Sequence, residues 1–478
     1  MVSGQAIRFV LQMGSTILLA RMLTPGDFGL VGMVTVLLQL INFIKDFGLV
    51  QATVQRFEIN RQQISNLFWI NLFASFGMAC VFAVCAPLIA QFYNQPDLVD
   101  ICLILSIGVL IQGLSLQHRA LMQRKMQFVK LAVIDIIAQI FSVCIALYMA
   151  NSGWGFWSLV VLPVVPAIVN STILPIMTRW IPQMPKSSAG TKPFLTYGTN
   201  LFGFNLLNYF SRNADNILIG KFVGAEALGY YANAYKLLML PMQQINSPVT
   251  NAVLPSLSRL QNDPVKFKIL YTNALRVVAI FTIPLVVFSF AFADVIVMVV
   301  LGLEWMPAAE IFRLLSPAAF IAATNVASGW VFMSTATTNR QLRLGIINSA
   351  LIVIGMLVGI SWGFKGVAVA ISIVTVIVRL PSIIYCFHNT HLKLKDFIKP
   401  QLFPVIASVV SIGVAYVVKV FINLSSSESM WMSLGFIICA FVICYFALCF
   451  IIYGSLNLKK CIWLVWGKHE INDKESIK

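Results

Sequence analysis

Apolar runs of about twenty residues follow one another along the whole chain, broken by short stretches of Gly, Pro, Asn and charge. A run of that length suits a helix crossing roughly 30 Å of hydrocarbon, whereas a membrane barrel would show ten-residue alternating strands. The pattern predicts about fourteen spanning helices, at 5–23, 28–46, 66–90, 98–117, 129–150, 156–178, 197–220, 226–250, 269–293, 308–333, 341–362, 364–387, 401–422 and 431–455. The fold class is therefore all-α and polytopic. Between spans the outer connections Thr24 to Asp27, Gln91 to Asp97 and Asn151 to Gly155 are a handful of residues each, and the longest is expected at Asp294 to Pro307.

The polar positions inside these runs repeat. Gln5 to Gly29 recurs as Asn205 to Gly229, with Ile17, Leu18 and Gly29 meeting Ile217, Leu218 and Gly229, and Arg21 meeting Lys221. Gln5, Arg8, Gln12 and Ser15 lie three or four residues apart, on one face of a helix, and Asn205, Asn208, Arg212 and Asp215 take the matching places. A duplicated unit of this kind predicts two pseudo-symmetric six-helix bundles, 1–180 and 197–390. The Pro-rich segment 181–196 joins them as a cytoplasmic linker, and two additional helices with a tail occupy 391–478. Paired repeats of membrane helices usually enclose a transport site between the halves.

Composition narrows the class further. Of 478 residues 59% are hydrophobic and 10% charged, against about a quarter charged in a soluble domain. A net charge of +16 would raise nucleic acid as a partner in a soluble protein. Here the basic residues collect in alternate connections, from Lys45, Arg56 and Arg61 through Arg119, Arg124 and Lys125 to Arg379, Lys393 and Lys395, as the positive-inside rule requires. Both termini are accordingly expected in the cytoplasm, and nucleic acid is not expected as a partner. The nine cysteines sit mostly within apolar runs and read as small packing residues. No basic n-region or cleavage site marks the N-terminus, so the first segment is expected to be retained, with Met1 to Gly4 ahead of it.

Ionisable residues at membrane depth are costly and by default mark a pathway. Arg212, Asp215 and Lys236 read as the deepest, with Asn233 one turn before Lys236. They can form a cationic patch for an anionic substrate, Asp215 tuning the charge or taking up a proton or cation; an internal ion pair locking two helices is the structural alternative. Arg8, with Gln12 one turn on, is nearer the inner end, where a long side chain can snorkel to headgroups. Asp135 and Gln139 fit either a contact between helices or a pathway role, and Arg276 and Arg313, the latter with Glu310 one turn away, fit the interfaces. Pro241, Pro248 and Pro255 recur every seven residues and predict a bend in the eighth helix.

Enzyme signatures are missing. There is no GxxxxGK[ST] phosphate loop, and His388 and His391 lack acidic or cysteine partners, so no metal site and no cofactor is expected. With these residues in view the sequence resembles the polysaccharide transporter (Wzx-type) flippases of the multidrug/oligosaccharidyl-lipid/polysaccharide exporter superfamily. The likeness rests on Leu18 to Met33 (LLARMLTPGDFGLVGM), Gln123 to Phe128 (QRKMQF) and Asn208 to Pro241, and it spans about the first 390 residues.

That resemblance implies a non-enzymatic flippase of the bacterial cytoplasmic membrane. It would translocate an undecaprenyl-diphosphate-linked oligosaccharide for cell-surface polysaccharide, alternating between inward-open and outward-open states. Arg8, Gln12, Arg212 and Lys236 are the expected substrate-binding residues. Coupling to a proton or sodium ion stays open, and a polysaccharide polymerase and export machinery are the implied partners, besides membrane lipids. A cation-coupled small-molecule exporter of the same superfamily is the alternative; it would favour acidic residues in its cavity. A membrane polymerase or ligase would need larger outer loops than these.

Overall fold

The computed structural model describes residues 2–46, 50, 53–54, 59–186, 209, 213–421 and 427–466, and every regular element among them is helical. The helices are α1 (Val2–Ala20), α2 (Pro25–Asp46), α3 (Arg61–Tyr93), α4 (Leu98–Arg124), α5 (Phe128–Asn151), α6 (Trp157–Thr178), α7 (213–222), α8 (Ala225–Arg259), α9 (Pro264–Ala291), α10 (Met306–Ser334), α11 (Thr338–Gly359), α12 (Gly363–Phe387), α13 (Leu394–Phe421) and α14 (Ser427–Trp466). Ten stretches among the described residues are long and apolar enough to cross a membrane. The protein is therefore multi-pass and helical. Its contacts divide it into two compact units, Met1–Ala232 and Asn233–Lys478.

Local sequence sets the helix ends. α2 opens with Pro25 in its first turn, where a missing N–H costs nothing. Ahead of it the Thr24 hydroxyl and backbone N–H both donate to Asp27 Oδ2, at 2.7 and 2.9 Å, and Asp27 N–H returns a bond to Thr24 Oγ1 at 3.2 Å. α3 opens on a capping box, Asn60 with Gln63, and closes on Asn94 in the left-handed conformation, φ 56°. The turns after α4 and α10 are alike, each passing through one left-handed residue, Met126 (φ 56°) and Ala336 (φ 54°).

In the first unit α4 packs against both α3 and α6, α5 lies on α6, and α1 lies on α5. In the second α12 packs on α10 and α11, while α9 joins α10 to the α13–α14 pair. The two additional helices are thus integral to the second unit: the Tyr445 hydroxyl of α14 donates to the carbonyl of Ile280 in α9 at 2.9 Å.

Three expectations change. Asp294 to Pro307 is not an open loop, because a short helix (Ala293–Val300) and a 3-10 turn (Leu303–Trp305) fill it and bury Val295, Val297, Val299 and Trp305. α1 runs from Val2, so Val2 to Gly4, expected ahead of the first helix, are part of it. Lys45 and Arg379, counted above as basic residues at helix ends, are 2% and 6% exposed. The seven-residue prolines all lie inside α8, which continues helical through them.

The chain leaving α6 is strapped to the start of α3. Asn66 grips the backbone of Lys186 from both sides, donating to its carbonyl at 2.6 Å and accepting from its N–H at 3.0 Å. Ser65 accepts from the N–H of Gln183, Trp69 donates to the Gln183 carbonyl, and Gln62 donates to that of Met184. The expected linker 181–196 is therefore anchored over its first six residues; 187–196 lie outside the described residues. Removing the paired bonds with Asn66→Leu should cost about 1–2 kcal/mol of local anchoring. Tryptic cleavage after Lys186 is then expected to quicken roughly tenfold while the global unfolding temperature barely moves.

Candidate functional site

The mirrored stretch is where the fold brings its two copies together. The first turns of α2 and α8 cross so closely that a Cβ on Gly29 would lie 1.7 Å from the carbonyl oxygen of Ala225, and one on Gly229 would lie 1.9 Å from that of Pro25. At the offset of the repeat Pro25 corresponds to Ala225 and Gly29 to Gly229, so the contact is reciprocal, each copy presenting the same groups to the other. Only hydrogen fits at either position. Around the crossing Gly220 sits against Tyr93 and Met33, and Lys221 donates to the carbonyl of Phe92 with its ammonium 4.9 Å from that ring.

The polar stripe of α1 runs from this crossing toward the opposite end. Ser15 and Thr16 hydroxyls both donate to the backbone carbonyl of Gln12, at 3.0 and 2.9 Å, and the Gln12 side chain is exposed. One turn earlier Arg8 is exposed and pairs with Asp135 of α5 at 3.1 Å. The same Asp135 oxygen also takes Arg119 of α4 at 2.5 Å. One carboxylate thus anchors two guanidinium groups and the trio keeps a net positive charge. Asp135 is a contact between helices, one of the two roles its sequence position allowed.

In the second copy, Asp215 is 6% exposed. Its carboxylate accepts from the hydroxyl of Tyr231 at 2.8 Å and from the N–H of Asn216 at 2.8 Å, so two donors hold it where water does not reach. Arg212, expected beside it, lies outside the described residues. Further along α8 the Lys236 side chain is half-buried and Asn233, three residues before it, is buried. Asp215 and Tyr231 meet through a spacing of sixteen residues, which no helical periodicity reveals.

Arg313 and Glu310, one turn apart on α10, take separate partners: Arg313 pairs with Asp294 and Glu310 with Lys365. Two cations expected at inner helix ends are buried. Lys45 donates to Gln112 of α4. Arg379 lies eight residues inside the end of α12, about 12 Å along a helix axis, a depth that its place in the apolar run IVRLP signals.

Comparison with known proteins agrees with this architecture. The model of a family of polysaccharide biosynthesis proteins matches residues 18–310. The lipopolysaccharide biosynthesis protein WzxC of Escherichia coli (strain K12) is 24% identical over 347 residues, 71% of this chain and 70% of its own. The teichuronic acid biosynthesis protein TuaB of Bacillus subtilis (strain 168) is 26% identical over 385 residues, 78% of each chain. Among solved structures the lipid II flippase MurJ in an inward closed conformation has a TM-score of 0.75 at 16% identity, across 95% of this chain and 98% of its own. An inward-facing multidrug resistance MATE family transporter reaches 0.62 at 12% identity, across 80% and 94%. The two structures show a shared fold. With more than half of its length matched by the family model, the chain belongs to the polysaccharide biosynthesis protein family.

Proposed function

We propose that the protein is a flippase that moves an undecaprenyl-diphosphate-linked oligosaccharide from the inner to the outer leaflet of the bacterial cytoplasmic membrane, both of its termini lying in the cytoplasm. Two six-helix bundles and two further helices, fourteen spans in all, rock between inward-open and outward-open states. The observation that carries the reading is the reciprocal Gly29 and Gly229 crossing, a two-fold contact tight enough to close one end of a passage and small enough to release it. Arg8, Arg212 and Lys236 are the cations that meet the diphosphate, with Gln12 beside them; charge-assisted bonds to phosphate are strong in a low-dielectric site. Asp215 tunes that charge or carries a coupling proton or sodium ion. A cation-coupled exporter of small molecules is the second reading, favoured by the buried Asp215 carboxylate.

The test is export in a strain deleted for this chain. Deletion is expected to accumulate a lipid-linked sugar on the cytoplasmic side, and the wild-type gene to clear it. Arg212→Ala and Lys236→Ala should each reduce clearance by about 10–100-fold at normal protein level, the worth of one charge-assisted bond of roughly 1.5–3 kcal/mol. Full clearance in both variants would remove these residues from the substrate, and a deletion strain without the lipid-linked sugar but sensitive to cationic drugs would favour the exporter.

A further inference from the structure

A second cation, away from the polar stripe of α1, is built into the second unit with no carboxylate among the described residues to balance it. Arg379 is 6% exposed, and its described partners are all neutral: Nη1 donates to Asn325 Oδ1 at 2.5 Å and to Ser328 Oγ at 3.4 Å, and Nη2 to the carbonyl of Thr324 at 3.3 Å. Its Nε is buried and has no hydrogen-bond partner among the described residues. Phe397 of α13 covers the guanidinium, 4.7 Å from the ring centroid. Beside Phe397, Asp396 is already committed: it pairs with Lys268 at 2.8 Å and accepts the N–H of Lys393 at 2.9 Å. The hydroxyl of Tyr271, within electrostatic reach of Arg379, is likewise buried and unpartnered.

A buried charge without a counter-charge costs several kcal/mol, and methionine would fill the same space without that cost. What the arginine keeps in return is geometry. Its side-on edge, Nε with one Nη, is the edge that oxyanions take with two parallel bonds, and of that edge Nε has no partner among the described residues. The Tyr271 hydroxyl supplies a third donor of the same neighbourhood, and the exposed Lys393, Lys395 and Lys399 surround the start of the helix that carries the covering Phe397. We infer that Arg379, Tyr271 and Asn325 form a second oxyanion site, which takes one phosphate group when Phe397 swings aside. The site does not depend on the flippase reading, because its test measures binding and not transport.

The experiment compares thermal unfolding of the full chain in phosphatidylcholine nanodiscs, alone, with phosphatidylglycerol in the disc, with undecaprenyl phosphate in the disc, or with inorganic diphosphate in the buffer. A saturating phosphate ligand should raise the wild-type midpoint by about 2–4 °C in at least one of the three arms, and the responding arm names the source of the phosphate. Arg379→Met should start at or above the wild-type midpoint and show no rise. Tyr271→Phe, which removes only a hydroxyl, should keep the fold and need about 5–10-fold more of the same ligand for half the rise. Silence of the wild type in all three arms overturns the site, and so does an equal rise in Arg379→Met.

Discussion

Gly29→Ala and Gly229→Ala are each expected to cut export about 100-fold, by making a single methyl group incompatible with the crossing of α2 and α8. The obstruction at both positions is a backbone carbonyl, Ala225 O at 1.7 Å and Pro25 O at 1.9 Å, and a carbonyl within a helix cannot rotate away as a side-chain tip can. The first turns of both helices must therefore separate. Overpacking of this kind costs about 3 kcal/mol, enough to shift a two-state balance by two orders of magnitude against the closed crossing. Because both changes strike one contact, the double variant should be little worse than either single. Gly26→Ala is the control: its Cβ would meet nothing nearer than Thr24 Oγ1 at 3.7 Å, so export should be unchanged. Membrane levels by immunoblot and surface polysaccharide per molecule provide the measurement. Wild-type export from Gly29→Ala would mean that the crossing opens at no cost and seals nothing.

That glycine pair also shows how much of the fold was legible beforehand. The repeat register, read from a few identities together with the shared polar stripe and turn, aligns Gly29 with Gly229, and the structure uses the alignment as a physical contact. Helix existence was equally legible, since runs of twenty apolar residues admit few alternatives. Side-chain direction was not. Counting Lys45 and Arg379 as loop charge follows the positive-inside rule, which sums residues over a helix end and cannot tell which way one of them points. The segment from Asp294 to Pro307 misled for a related reason: Asp294, Gly302, Glu304 and Pro307 punctuate it like a loop, yet Val295, Val297 and Val299 give a short helix enough apolar surface to bury. At the site, Asp135 was visible as a polar residue at helical spacing. Its two arginine partners come from helices 127 and 16 residues away in sequence, and only folding selects them.

Asp135→Asn is expected to lower stability while sparing transport per folded molecule, the reverse of Arg8→Met. The carboxylate is 15% exposed and neutralises part of two charges, Arg119 at 31% and Arg8 at 44% exposure. Solvent screening discounts the Arg8 share to about 0.5–1 kcal/mol, so that with Arg119 the loss should be about 2 kcal/mol, a fall of roughly 2–4 °C in the unfolding midpoint. Arg8 itself keeps its charge in that variant, released from its counter-ion, and an anionic headgroup should meet it at least as well as before. Arg8→Met relieves Asp135 of one of two partners and leaves Arg119 in place, so the midpoint should fall by less than 2 °C, while clearance of the lipid-linked sugar falls about tenfold with the loss of one phosphate contact. The double variant separates the two roles. Its loss of stability should be smaller than the sum of the two single losses, because the Arg8 to Asp135 pair is already absent in each single variant, whereas its transport should match Arg8→Met alone. Transport that instead tracks stability through all three variants would make Arg8 a structural partner of Asp135 and leave the diphosphate to Arg212 and Lys236.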